Sequence, residues 1–171
     1  MSNWIKAINP TGAITTEADA IAAARASAIA IFIGVAFGLI GLILIMNGMD
    51  EVRAAAEAEV ASNPQVAGMG GAIAQGILYF GIAVVVIQAV LGIVQWIKPN
   101  LVIPILFLVL VVYGLGTGIL ELLNPKEAVA GMSHPAPWLK PVSLVAMAVQ
   151  LILHIAGARG ASALNKMRRA G

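Results

Sequence analysis

Residues 16–46 read TEADAIAAARASAIAIFIGVAFGLIGLILIM. Thr16 is placed to cap a helix, with Asp19 three residues on and Glu17 at the positive end of the helix dipole. One arginine follows, Arg25, and after it no charge appears through Met46. A helix rises about 1.5 Å per residue and a bilayer core is roughly 30 Å thick, so this stretch spans a membrane with turns to spare. Small residues recur at every fourth position along it: Ala22, Ala26, Ala30, Gly34 and Gly38. In lipid no hydrophobic effect drives helices together, and a smooth small-xxx-small face lets a second backbone approach closely. The apolar run is too long, and begins too late behind acidic residues, for a cleaved signal peptide.

Composition agrees with this reading. Hydrophobic residues make up 60% of the 171-residue chain and charged ones 11%, with a mean hydropathy of +0.95. A soluble domain of this size has too little interior to hide so much apolar surface. The net charge of +2 is too small to point to nucleic acid, and the absence of cysteine removes disulfides, thiol chemistry and cysteine metal sites.

Outward from this stretch, the expected architecture is one all-α integral membrane domain over residues 1–171. Its four transmembrane helices lie at about 16–46, 72–97, 101–123 and 139–157, arranged as two antiparallel hairpins. Before the first span, Trp4, Ile5 and Ile8 suit a short turn at the headgroup level, and Asn9-Pro10-Thr11-Gly12 is a break. After it, residues 50–61 (DEVRAAAEAEVA) form a short acidic amphipathic helix in the first outer loop, with Arg53 and Glu57 spaced as an i,i+4 pair. The link Lys98-Pro99-Asn100 is so short that the second and third spans are expected to form a tight antiparallel hairpin. Pro104 falls in the first turn of the third span, where its missing N–H costs little. A loop over 124–137 holds Lys126, Glu127 and His134, and a basic extension over 158–171 prolongs the fourth span. An internal echo joins the halves: AVVVIQAVL at 83–91 resembles LVAMAVQLIL at 144–153, as two tandem hairpins would.

Few residues carry chemistry. No span holds a charge at its middle, which argues against coupling through a carboxylate relay. Gln88, Gln150 and His154 are the intramembrane polar groups, placed at depths where they can meet in one hydrogen-bonded cluster, and Glu121 sits at the outer end of the third span, facing a vestibule or Lys126. The bland reading of Gln88, Gln150 and His154 is interhelical glue, worth about 0.6–2 kcal/mol per bond, and that of Glu121 is a carboxylate that simply reaches headgroups or water. His134 and His154 are about 30 Å apart if the chain between them is helical, too far to share an iron, and no zinc, P-loop or nucleophile motif is present. No catalytic residue, cofactor or metal is expected.

The expectation is therefore a non-catalytic accessory or scaffold subunit. It would sit among membrane lipids in a bacterial inner membrane and pack through the ladder of the first span against copies of itself or other membrane subunits, with no nucleic-acid partner. The alternative is a small oligomeric transporter or channel whose polar path runs through the second to fourth spans. Lysine and arginine set the orientation. With the N-terminus inside, the cytoplasmic side holds Lys6, Arg25, Lys98, Arg159, Lys166, Arg168 and Arg169, against Arg53, Lys126 and Lys140 outside. Both termini are expected in the cytoplasm, so a C-terminal reporter active only outside the membrane would overturn this topology.

Overall fold

In a computed structural model of the chain, residues 7–61, 65–66, 68–123 and 138–170 are described. The expected turn at Trp4–Ile8 falls mostly outside them, as do Lys126, Glu127 and His134. The described residues form α1 (Glu17–Asn47), α2 (Met49–Val60), α3 (Gly70–Ile97), α4 (Val102–Leu123) and α5 (Leu139–Ala170), with no strand among them. Four of these, all but α2, are long and apolar enough to cross a membrane.

Local chemistry sets the helix ends. The Thr16 hydroxyl accepts from the Asp19 backbone N–H at 3.1 Å, the capping contact its position anticipates. Asn100 Oδ1 accepts from the Ile103 N–H at 3.0 Å and starts α4, with Pro104 inside the first turn. Arg53 and Glu57 pair at 3.0 Å on α2, a contact so exposed that it adds little stability. The Gly-rich entry to the second span is already helical from Gly70, whose missing side chain lets α2 lie against it at Glu57.

Helix α1 is the shared wall of the bundle. It packs against α5 most extensively and against α3 next, while α4 packs on α5. Ser27 lies against Gly157 and Gly34 near Gln150, so α1 and α5 run antiparallel; Ile31 lies against Gly92 and Leu42 against Gly81, so α1 and α3 do too. Met147 beside Gly114 and Leu144 beside Gly118 set α4 antiparallel to α5. The second and third spans do not form the tight hairpin that the short link suggests: α3 and α4 part after residue 101 and do not pair along their lengths. The link only joins their ends, because α1 and α5 offer the small-residue faces on which each helix packs instead.

Burial is concentrated at one end. On α1 the buried residues run from Ala20 to Ile31, with only Leu42 beyond; on α4 they are confined to Ile103–Val111, and on α5 to Gln150–Leu164. This is the end that carries Arg25, Lys98, Arg159 and Arg168, called the basic end below. Arg25 donates to the Trp96 carbonyl at 3.1 Å with its guanidinium 5.3 Å from that ring's centroid, and Arg159 donates to the Gly12 carbonyl at 3.2 Å. Toward the other end α1 keeps its contact with α3, Leu42 on Gly81, and α4 with α5, Leu144 on Gly118, while space opens between α1 and α5 at Phe37 and Ser143.

The ladder of α1 is occupied within the chain. Ala26 and Ala30 pack on Leu153 and Ala156, Ala22 packs with Ala7 and Ala23, and a Cβ on Gly38 would lie 2.7 Å from a Val85 methyl carbon. The closest approach is between α1 and α5: a Cβ on Gly160 would lie 2.7 Å from the Ala23 carbonyl carbon, and one on Gly157 would meet the Ser27 backbone N at 3.0 Å. Gly76 and Gly116 have nothing within 4 Å of the same position. Gly157→Ala and Gly160→Ala should each lower stability by about 1–3 kcal/mol through overpacking. Gly76→Ala and Gly116→Ala should be neutral, or gain up to about 1 kcal/mol of helix propensity. Thermal unfolding of the four variants in detergent tests this; equal midpoints for both pairs would refute the close contact.

Candidate functional site

Polar side chains inside the bundle fall at three levels. Nearest the basic end is Gln95, completely buried on α3. Its Nε2 donates to the Ala24 carbonyl at 3.1 Å and to the Asn100 carbonyl at 3.2 Å, and its Oε1 accepts from the Asn100 N–H at 3.2 Å. One side chain thereby ties α1 to the α3–α4 link. Sequence reading passed over Gln95, although it lies seven residues after Gln88 and so on the same face of α3.

At the next level His154, also fully buried, is joined to Ser27 by a 2.7 Å hydrogen bond between Nδ1 and Oγ, with the donor set by the ring's tautomer. Its ring stacks on Phe107 of α4, centroids 5.6 Å apart, and its Nε2 has no hydrogen-bond partner among the described residues. Ile31, Ile103 and Phe107 cluster here, with Val35 and Leu91 packed against them. All four spans meet at this level, and the bundle is shut.

Gln88 and Gln150 form the third level. Both carboxamide oxygens lie 3.6 Å from the point where a Cβ on Gly34 would stand, so α3 and α5 deliver them to the same spot on α1. Gly34 lies about two residues, some 3 Å, from the middle of the charge-free run 26–46, hence close to mid-membrane. Neither amide has a hydrogen-bond partner among the described residues, although Gln150 is only 8% exposed. The single cluster of three polar groups therefore does not form. His154 turns toward Ser27 and Phe107, and Gln88 and Gln150 do not act as hydrogen-bonded glue between the helices.

The two amides instead line a crevice of about 230 Å³ among α1, α3, α4 and α5, walled by Ile31, Phe37, Phe107, Val111 and Met147. Phe37 and Ser143 also line a second chamber of about 360 Å³ that reaches Glu121 and Lys140. There Glu121, largely exposed, forms a 2.9 Å ion pair with Lys140. The two spaces share Phe37 and Ser143 as lining residues; the first also touches Ile31 and Phe107, and the second Glu121 and Lys140. Among the described residues no three His, Cys, Asp or Glu side chains gather to hold a metal.

Gln95→Leu should cost about 1–3 kcal/mol, because it removes three hydrogen bonds and strands buried backbone groups. Gln88→Leu should cost less or stabilise, having no protein partner to lose. Unfolding midpoints in the same detergent decide this, and a larger loss for Gln88→Leu would mean that its amide is bonded within the protein. No family model, no curated protein and no solved structure matches this chain.

Proposed function

We propose that this protein is a non-catalytic membrane protein that admits a small solute to a mid-membrane polar site and passes it across the bilayer. One observation carries the reading: Gln88 and Gln150 converge over Gly34 with no hydrogen-bond partner among the described residues, in a crevice that shares Phe37 and Ser143 with the chamber at Glu121 and Lys140. An unsatisfied amide in hydrocarbon costs several kcal/mol, so a site of this kind is stable when water or a ligand supplies the missing bonds. The closed level at His154 and Phe107 serves as the barrier on the basic side. The excess of lysine and arginine at that end supports placing it, with both termini, in the cytoplasm of a bacterium, and placing α2 and the crevice mouth outside.

An accessory or scaffold role is the second reading. The ladder of α1 lends it less than its sequence promised, since that face is filled by the chain's own helices. The many exposed apolar side chains of α3 and α4, among them Phe80, Val86, Val109 and Tyr113, support it instead, because a helix of another subunit could pack on them as lipid does. Complexes extracted in a mild detergent separate the two readings: a stoichiometric partner supports the second, and a homogeneous species of this chain alone supports the first.

Vesicles reconstituted with the protein should shrink and recover faster than empty vesicles after an osmotic step with urea, acetamide or glycerol. Gln150→Leu should return the rate to that of empty vesicles. Identical rates for wild type and Gln150→Leu would sink the proposal.

A further inference from the structure

The lining of the inner chamber limits what it can hold, and this argument rests on the ligand-binding reading above. Among the described residues no Asp, Glu, Lys, Arg or His lines it, and the polar ones that do are Gln88, Gln150 and Ser143. A charged head group would shed its hydration there and find no opposite charge, a cost of several kcal/mol. The nearest charges, Glu121 and Lys140, neutralise each other at the mouth. A carboxamide offers a carbonyl acceptor and two N–H donors, so the two glutamines complement a neutral group that both gives and takes a hydrogen bond. The rest of the wall is apolar and aromatic. A cavity of about 150 Å³ holds benzene, so the 230 Å³ of this chamber fits one ring with a short substituent.

We infer that the chamber binds a neutral one-ring or short-chain amphiphile whose single hydrogen-bonding head, an amide or hydroxyl, sits on Gln88 and Gln150 while its apolar body lies between Ile31, Phe37 and Phe107. The binding is selective against the corresponding anion. The unpartnered, nine-tenths buried Gln150 amide is the recognising group, and Gly34 is the absence of a side chain that leaves room for the head.

The test is equilibrium dialysis of the full-length protein in detergent against radiolabelled benzamide, with benzoate and toluene as a charged and an apolar counterpart of the same ring. Benzamide should bind saturably at one site per chain. Benzoate should bind about tenfold more weakly or worse, and the double variant Gln88→Leu/Gln150→Leu should lose about tenfold in benzamide affinity while leaving toluene unaffected. The wild-type comparison of the three probes needs no variant, so the inference stays testable if the double variant misfolds. Benzoate binding as well as benzamide, or wild type showing no saturable benzamide binding, overturns it. The outcome also separates this inference from the transport reading. Amide-selective binding without solute movement across vesicles upholds the ligand class and removes transport. Glutamine-dependent flux without preference for benzamide removes the ligand class and leaves transport standing.

Discussion

The close approach of α1 and α5 is the contact on which the other features depend. Gly157 and Gly160 bring one backbone against Ser27, Ala23 and Ala24 of the other, at distances that even one added methyl would violate. Between transmembrane helices such contacts act through dispersion and geometry, because lipid already solvates apolar side chains. With the two helices locked at the basic end, Ser27 comes within reach of His154, Phe107 stacks on that imidazole, and Ile103 is drawn onto Ile31. Further along, the contact changes character. Gly34 faces two glutamines, and Phe37 then lines open space, so α1 and α5, held together at one end, leave a space between them at the other.

Three glutamines show how much position decides. Gln95 reaches two carbonyls and an N–H where the α3–α4 link exposes backbone groups, and there it works as a structural tie. Gln88, two turns along the same helix, faces only helical backbone whose hydrogen bonds are already made. Gln150 meets the same condition from α5. Identical chemistry gives a satisfied strut in one place and an open donor–acceptor pair in the other. The difference is the availability of unpaired backbone, which vanishes in the interior of a helix.

The candidate site was half legible in the sequence. Gln88, Gln150 and Glu121 stand out because polar groups are rare in these spans, and the matching depths of the two glutamines on parallel helices bring them to one level. The sequence could not show that His154 would leave them. That depends on Ser27, a small residue in an alanine-rich stretch, whose partner is chosen by the rotation of α5. The ladder on α1 packs within the chain at Ala26, Ala30 and Gly38. A stripe of small residues shows that something packs closely, without showing whether the partner belongs to the same chain.

What the sequence alone determined is the membrane class, the four spans and the ends of α1. Each follows from a local rule: a bilayer demands some twenty apolar residues per crossing, and helix termini demand caps. Only the tertiary structure decided which helices pair, and hence that α3 and α4 part beyond a link too short to suggest it. Apolar faces are interchangeable in lipid, so pairing is set by the fit of small residues in three dimensions, which no linear pattern of Ala, Gly, Val and Leu encodes uniquely. The crevice and its two open amides are products of that fit.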